Sequence, residues 1–401
     1  MRRKKQSRSS LVAGGVLTLL VGIPLVLAAV DAPTGFENLT NGFESQANFD
    51  SDRGQFKSIE EIQDGLGPIF NAQACSDCHR NTVSGEVNQV NELRAGKTDS
   101  AGNFTNHPGG SLINDRAIDP AIQEHVFDSD NIRTFRTSLS VLGDGFVEAL
   151  PDSEFTRIQN AQPAGMKGTI VRVPVLEAST GTTRIARFGW KNQHASLLSF
   201  AADAYLNEMG ITSPLFPTEN TSNGNSVVAF DTVSDPEDAP TTDHRFGPDV
   251  EAFTRFMRST EAPPRADTTS ASGEVIFDNI GCVNCHTDSI TTASAGTSFN
   301  GGTFIVPAAL GSKTIHPYGD FMLHDIKTGD GIVQAQASGA LIRTAPLWGL
   351  RTRTRLMHDG QSLTVQDAIL RHAGQAAPVI TNFKALNDTD RKALLDFLNS
   401  L

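Results

Sequence analysis

Apolar residues recur at helical spacing in two segments near the end of the 401-residue chain. Residues 388–401, DTDRKALLDFLNSL, place leucines three and four positions apart after an Asp-Thr cap, which predicts a terminal helix. The segment LTVQDAILRHAG has a helix start signal at Thr364 and a stop signal at Gly374. His372 falls on the apolar face of this helix. A histidine there is ordinarily a core residue bonded to the backbone, so other features must decide its role.

The earlier part of the chain is more polar and less regular. Glycine-rich segments such as VSGEVNQVNELRAGKTDSAGNF and PTENTSNGNS predict loops, and runs such as TIVRVPVLEA predict small β elements. The Pro-, Ser- and Thr-rich residues 259–273 are typical of a linker. We therefore expect a mainly α protein with two domains, residues 30–258 and 274–401, and irregular loop and small β insertions in the first.

Residues 1–29 have the character of an export signal. MRRKKQSRSS is followed by LVAGGVLTLLVGIPLVLAAV, twenty residues without a charge. We expect cleavage near Ala28 or Ala29; if the segment is retained, it becomes a membrane anchor. The segment holds five of the 33 basic residues and none of the 45 acidic ones, so the remaining chain has a net charge of −17. That charge argues against nucleic acid or anionic lipid as a partner and suits a basic redox partner, although solubility alone also explains it.

All four cysteines lie in two short motifs, CSDCH and CVNCH. Cys-x-x-Cys-His is the attachment signature of c-type haem, in which the thiols bind the porphyrin and the histidine binds the iron. A zinc site or a thioredoxin-like redox pair fits the wide separation and the duplication less well. We therefore expect two covalently bound haems, held by these residues: Cys75, Cys78 and His79, and Cys282, Cys285 and His286.

The likeness of the two motifs extends to their flanks. Phe70 and Phe277 each lie five residues before the first cysteine, and each ends a glycine-started apolar segment, GLGPIF or GEVIF. This pattern predicts an internal repeat and two small helical haem domains of the cytochrome c type.

Longer motifs between Phe56 and Leu401 carry a resemblance to a known family: GLGPIFNAQACSDCH, LGDGFVEALPDSEF, ARFGWK, NEMGITSPLFP, IGCVNCHT, HPYGDFMLHD, RTAPLWGL and LMHDGQSLTVQDAILRHAG. The chain resembles the bacterial diheme c-type oxidoreductases described as peroxidases or "thiol oxidoreductases", which are related to diheme cytochrome c peroxidases and rubber oxygenases. The thiol label gains no support, because every cysteine is assigned to haem.

The resemblance implies that the C-terminal haem has two fixed ligands and transfers electrons to an N-terminal haem, which binds peroxide or oxygen. In the peroxidases the second ligand is a methionine fourteen residues after the histidine of an HDG turn. Here that turn begins at His358, and His372 stands fourteen residues later. Met357 and Met322 are the rival ligands. Histidine in place of methionine predicts a lower potential for this haem.

The resemblance also suggests catalytic groups at the N-terminal haem. Glu208 of NEMG corresponds to the peroxidase glutamate that moves protons, and Trp190 of ARFGWK to a tryptophan between the haems. The glutamine that accompanies this glutamate is replaced by Leu198, and Glu148 is the alternative acid. An exposed helix carboxylate and a core tryptophan are the ordinary interpretations. Further candidates are three histidines for a resting-state iron ligand and three basic residues for haem propionates: His107, His125 and His194, and Arg136, Arg187 and Lys191.

The first functional prediction is a periplasmic, peroxidase-like diheme oxidoreductase that takes electrons from a small redox protein. The alternatives are oxidation or oxygenation of an organic or protein substrate, and simple electron transfer by two six-coordinate haems. Peroxidases of this kind hold calcium near the HDG turn. The corresponding Arg353 and Arg355 are basic, so calcium is not predicted here, although backbone carbonyls could serve as ligands.

Overall fold

The computed structural model describes residues 29–266 and 270–401. The predicted export segment, apart from Ala29, lies outside these residues. The described part of the chain contains ten α-helices: α1 Gln46–Phe56, α2 Cys75–Cys78, α3 Asp144–Glu148, α4 Asp152–Ala161, α5 Leu197–Met209, α6 Pro248–Ser259, α7 Ala271–Ile280, α8 Val365–Leu370, α9 Ala377–Ala385 and α10 Asp388–Leu398. None of the helices within those two ranges is long and apolar enough to cross a bilayer.

The strands are short and form small sheets: β1 Val30–Asp31, β2 Ile69–Phe70, β3 Asn91–Thr98, β4 Phe104–Asn106, β5 Leu112–Ile113, β6 Arg116–Ala117, β7 Ile132–Thr137, β8 Arg172–Pro174, β9 Thr183–Ile185, β10 Ile290–Thr291, β11 Ser298–Phe299, β12 Phe304–Ile305, β13 Lys313–Ile315, β14 Leu323–His324 and β15 Ile342–Arg343. β3 pairs antiparallel with β4, β5 and β7. The β elements are not confined to the first half, because β10 to β15 lie in the second. They were not predicted, since strands of two or three residues carry too little alternation to be recognised in a sequence.

Two helix pairs support the two CxxCH motifs. α1 packs against α6 before and after the first motif, and α7 packs against α10 around the second. Gly273 permits the second crossing, since a Cβ there would collide with the carbonyl oxygen of Ala393. The predicted terminal helix is confirmed as α10. Its cap is Asn387, whose side chain accepts the Asp390 N–H at 2.9 Å, one residue before the predicted cap.

The predicted repeat does not extend beyond the haem motifs in structural terms. GEVIF lies within helix α7, whereas Phe70 lies in strand β2, which pairs with β6. GLGPIF cannot form the corresponding helix because Pro68 has no N–H, and Gly65 and Gly67 adopt φ angles of +102° and +94°. The apolar flanks are therefore similar in sequence and different in conformation.

The main apolar core combines side chains from both sides of the predicted linker. It joins α5 and α6 to residues of the second half such as Ile315, Phe321 and Trp348. A second core lies beneath the second CxxCH motif and includes Phe277 and Phe397. Helix α6 ends at Ser259 and helix α7 begins at Ala271, so residues between them connect two helices that belong to different cores.

Candidate haem centres

The second CxxCH motif opens into a large apolar cavity. Helix α7 stops at Gly281, which has a φ angle of +98°, and a short 3₁₀ turn follows at Cys282. The His286 N–H donates to the Cys282 carbonyl at 2.9 Å and closes the turn. Both cysteines and the histidine line the same cavity, whose walls are mainly apolar. The local fold therefore presents two thiols and one imidazole to the same space.

His372 faces His286 across this cavity. The centres of the two imidazole rings are 6.4 Å apart. Two metal–imidazole bonds of about 2 Å, plus about 1 Å from each nitrogen to its ring centre, require a separation of about 6 Å. The pair therefore fits the two sides of a single haem iron.

Hydrogen bonds orient both rings. Nδ1 of His286 lies 3.0 Å from the carbonyl oxygen of Tyr318, and Nδ1 of His372 lies 2.8 Å from that of Ala368. A carbonyl only accepts, so each Nδ1 carries the proton and each Nε2 keeps a lone pair for a metal. Burial lowers the pKa of His286 to about 4 and also lowers the pKa of His372, so both rings are neutral at pH 7.

Helix α8 is shorter than the sequence predicts. Its start is confirmed, because the Thr364 hydroxyl accepts the Asp367 N–H at 3.0 Å. It ends at Leu370 instead of near Gly374, and His372 follows it in a turn. The side chain still joins the predicted face, since Val365, Ala368 and Ile369 line the same cavity. Of the rival methionines, Met357 lines the cavity as well, while Met322 is buried in the main core.

The first CxxCH motif presents one half-buried imidazole. Helix α2 contains both cysteines, and the His79 N–H donates to the Cys75 carbonyl at 3.1 Å. Burial lowers the pKa of His79 to about 4, so this ring is also neutral. Its Nδ1 is buried and has no hydrogen-bond partner among residues 29–266 and 270–401. The turn fits a haem with His79 as proximal ligand.

Glu208 is attached to the chain segment that leads into this motif. Its carbonyl oxygen accepts the N–H groups of Asn71 and Ala72 at 2.7 and 3.0 Å, a few residues before Cys75. The Asn71 side chain donates to the Glu208 carboxyl at 2.8 Å. The last turn of α5 is therefore fixed beside the first haem motif, although position 208 is distant from it in sequence.

Two charged neighbours of Glu208 were not predicted from the sequence. Glu92 and Arg94 alternate along strand β3 and form a two-point ion pair, with N···O distances of 2.6 and 3.1 Å. The Glu92 carboxyl group lies close enough to that of Glu208 for each to affect the pKa of the other. Burial and then the charge of Glu92 raise the pKa of Glu208 to about 8. The signal was the i, i+2 spacing on one face of a strand, within a segment that resembles a loop.

Both carboxyl groups also act on the haem motif itself. Burial, followed by the negative charge of Glu208 and smaller contributions from Asp77 and Glu92, raises the pKa of the Cys78 thiol to about 12. The carboxyl pair therefore lies close to a cysteine that the motif assigns to haem.

Trp190 lies between the two motifs. Its indole N–H donates to the Thr137 carbonyl at 2.7 Å, and its ring contacts His358 with centres 6.0 Å apart. Ser138, which follows Thr137 in the chain, donates through its hydroxyl to the Cys78 carbonyl at 2.8 Å. Trp190 also lines the cavity of the second motif. A short covalent and hydrogen-bonded path thus joins that cavity to the first motif.

Comparison with known proteins identifies the family. Residues 113–401 match a family model described as "Di-haem oxidoreductase, putative peroxidase". The chain belongs to this di-haem oxidoreductase family. The matched range includes Trp190, Glu208, His372 and the second CxxCH motif, and it begins after the first motif. No curated protein sequence matches this di-haem oxidoreductase.

Three solved structures are similar over most of their length, each at a TM-score below 0.5, which does not establish a common fold. Hydrazine synthase of Kuenenia stuttgartiensis is 12% identical with a TM-score of 0.39, and the match covers 99% of this chain and 100% of that one. A MauG-like protein associated with microbial copper homeostasis is 16% identical, with 95% of each chain covered and a TM-score of 0.39. A variant of the diheme peroxidase BthA from Burkholderia thailandensis is 12% identical, with 94% and 91% covered and a TM-score of 0.37.

Glu148, the alternative acid, has a structural role in this di-haem oxidoreductase. It is fully buried, and its carboxylate receives two bonds from Arg258 at 2.7 and 3.0 Å. It also accepts from the Leu197 N–H at the start of α5 and from Asn300. Burial favours the neutral acid, but Arg258 lowers the pKa of Glu148 below its usual value. The carboxylate is therefore fully used by the fold.

The other candidate ligands are engaged elsewhere. His107 bonds Asp130 at 2.7 Å and Asn223 at 2.9 Å, and His194 bonds Asp203 at 3.1 Å. His125 is exposed.

The basic candidates likewise bind protein groups. Arg136 and Lys191 both pair with the buried Asp330, at 2.7 and 2.9 Å. Arg187 is fully buried, pairs with Asp152 and donates to main-chain carbonyls. Of these three candidates, Arg136 alone keeps a buried nitrogen without a hydrogen-bond partner within the described ranges.

Proposed function

We propose that this di-haem oxidoreductase is a c-type cytochrome that reduces hydrogen peroxide. The observation that carries the proposal is the asymmetry between its two CxxCH motifs. The second motif faces another neutral imidazole at 6.4 Å, whereas the first lies beside a carboxyl group that holds its proton near pH 7. A coordinatively saturated haem stores electrons, and a haem with an adjacent acid performs proton-coupled chemistry.

The proposed attachment uses the six motif residues in two matching sets. Cys75 and Cys78 form the thioethers of the first haem, and His79 is its proximal ligand. In the second motif the corresponding residues are Cys282, Cys285 and His286, with His372 on the opposite side. When bound, the first haem supplies an iron that accepts peroxide, and the second supplies electrons.

Glu208 is the proposed proton donor. Cleavage of a peroxide O–O bond requires a proton on the departing oxygen, and a carboxyl group with a pKa of about 8 still carries that proton at neutral pH. Asn71 orients the group through its 2.8 Å hydrogen bond. Trp190 is proposed to carry electrons between the sites along the path through Thr137 and Ser138.

The remaining parts of the proposal concern location and partners. We propose export to the periplasm, directed by residues 1–29, and an electron donor that is a small redox protein. The net charge of −17 for the rest of the chain favours a donor with a basic surface.

A second enzyme function is favoured by His372. Two imidazole ligands lower the potential of the second haem relative to a histidine–methionine pair, which suits reductive activation of oxygen for oxidation of an organic or protein substrate. Oxygen consumption by the reduced holoprotein in the presence of a substrate, without peroxide turnover, would favour it. A pure electron carrier would show neither activity.

The experiment that tests the proposal is steady-state peroxide reduction by the purified diheme protein with reduced cytochrome c or a redox dye. We expect turnover by the wild-type protein. Glu208→Gln should lower it by about 10²- to 10⁴-fold, the usual contribution of a general acid, with haem content unchanged. A wild-type protein that carries both haems and leaves peroxide intact would overturn the proposal.

A further inference from the structure

Glu208 and the polar side chains around it form a small charged cluster. The neighbours of Glu208 in this cluster all come from the part of the chain before residue 113. Glu92 and Arg94 come from strand β3, and Asn71 comes from the segment before the first CxxCH motif. These three residues lie outside the range matched by the family model. The family match therefore assigns them no role.

The Arg94 guanidinium is fixed at three points. It donates to both carboxylate oxygens of Glu92, and its third nitrogen donates to the Ser111 hydroxyl at 3.1 Å. The Arg94 side chain is 11% exposed and that of Glu92 is 18% exposed. A two-point pair of this kind holds the carboxylate strongly, so negative charge remains on Glu92.

Glu208 forms no ion pair of its own within residues 29–266 and 270–401. Its side chain receives one neutral hydrogen bond from Asn71, and the nearby charge of Glu92 acts on it. Two carboxyl groups this close together cannot both be ionised at low cost, so one proton remains between them. The geometry places that proton on Glu208, because Arg94 binds Glu92.

We propose that Glu92 is a positioning residue that keeps Glu208 loaded with a proton for the reduction of peroxide, and this inference rests on the proposed function. In each turnover Glu208 gives its proton to the departing oxygen. Two neighbouring carboxylates would then remain, and their repulsion draws a proton from solvent back to Glu208, which is itself partly exposed. The carboxyl pair therefore has the same net charge before and after the cycle.

The surrounding charges favour one negative charge on the pair. Arg116 on β6 lies near Cys78, and Arg136 on β7 lies near Glu92. Asp203 on α5 lies near Arg94. Arg136 is already neutralised by Asp330 at 2.7 Å. Burial opposes ionisation of both acids; Arg94 nevertheless lowers the pKa of Glu92, while that of Glu208 is raised to about 8.

The test is the pH profile of peroxide turnover by the holoprotein carrying Glu92→Gln. In the wild type, activity should fall as pH rises through about 8, where Glu208 loses its proton. The glutamine amide can donate to Glu208 and removes the neighbouring negative charge, so the Glu208 carboxylate becomes easier to form. We expect the alkaline limit to move down by about 1 to 3 pH units, and turnover at pH 8 to fall by at least about 5-fold.

Two controls separate this role from loss of structure. Glu92→Asp keeps the charge and should retain the wild-type profile. Glu124→Gln alters another buried glutamate of the first half, whose carboxylate accepts the N–H groups of Asn114 and Asn223 at 2.7 and 3.0 Å. It should leave the profile unchanged. If Glu92→Gln shifts nothing, or if Glu124→Gln shifts the profile equally, the inference is wrong.

A second readout does not require activity. The infrared C=O band of a protonated carboxyl group, identified by its loss in Glu208→Gln, should titrate near pH 8 in the wild type and at lower pH in Glu92→Gln. If the wild type turns over no peroxide but the band titrates as described, the proposed function fails and the proton-holding pair stands. If peroxide is reduced but the band is absent at pH 7, the pair is wrong and the proposed function survives.

Discussion

The two CxxCH motifs make the same local turn and face different chemistry. In each, the main-chain N–H of the histidine donates to the main-chain carbonyl of the first cysteine, at 3.1 Å in the first motif and 2.9 Å in the second. Opposite the second lies His372, and beside the first lie Glu208 and its charged neighbours. Under the proposed function, the motif determines where a haem attaches, and elements distant in sequence determine what that haem does.

The two sites also differ in the titratable groups that they contain. His286 and His372 are neutral and each is fixed by a backbone carbonyl, so the second site needs no proton to change oxidation state. The first site combines a neutral His79 with a carboxyl pair that carries a proton at pH 7. The proposed function therefore assigns electron storage to the second site and proton delivery to the first.

The largest effect on turnover should come from removing the first attachment site. In Cys75→Ser combined with Cys78→Ser, the thiols that anchor the haem are lost, so covalent haem should fall from two per chain to one and peroxide turnover should disappear. Mass spectrometry and the pyridine haemochrome assay measure the haem. The second haem should keep its spectrum. A variant that still reduces peroxide at the wild-type rate would place the reaction at the other site.

A large effect on the second site alone should follow from His372→Met. A thioether ligand favours ferrous iron, so the potential of this haem should rise by an amount on the order of 0.1 V or more. Its spectrum should change from bis-histidine to histidine–methionine. Potentiometric titration and near-infrared spectra measure both. An unchanged potential would mean that His372 is not a ligand.

A smaller effect should follow from Trp190→Phe, which keeps an aromatic ring and removes the indole N–H. Electron transfer from the second haem to the first should slow, while both haem spectra stay as in the wild type. Loss of the 2.7 Å bond to the Thr137 carbonyl should cost about 1 kcal/mol of folding free energy. Stopped-flow reduction measures the interhaem rate. A wild-type rate would remove Trp190 from the path.

The smallest effect on turnover should come from Glu148→Gln, despite a large loss of stability. Removing one partner leaves the charge of Arg258 uncompensated in a buried pair, at a cost of about 3 to 5 kcal/mol. Urea unfolding measures this loss. Turnover per bound haem should remain within about twofold, because Glu148 acts only through the fold and supplies no proton. A loss comparable to that of Glu208→Gln would restore Glu148 as the acid.

Features determined by residues close together in the sequence were predicted more accurately than features determined by contacts between distant segments. The α8 cap and the terminal helix are local and were found, and the spacing from His358 led to a histidine that faces His286. The flanks of the two motifs were misjudged, because Gly65, Gly67 and Pro68 prevent a helix.

Contacts between distant segments could not be found in this way. The side chains of Glu92 and Arg94 meet Glu208 only after β3 pairs with β7 and α5 is fixed to Asn71. A polar, glycine-rich sequence gives no sign of such a meeting, because register and long-range hydrogen bonds determine it.

The most direct test of the asymmetry is electron paramagnetic resonance of the oxidised diheme protein. We predict one low-spin haem with the signature of two histidine ligands, which His372→Met removes, and one high-spin haem that changes on addition of peroxide. Two low-spin haems whose signals do not change on addition of peroxide would contradict the assignment of one saturated and one reactive haem. An unchanged bis-histidine low-spin signal in His372→Met would contradict it as well.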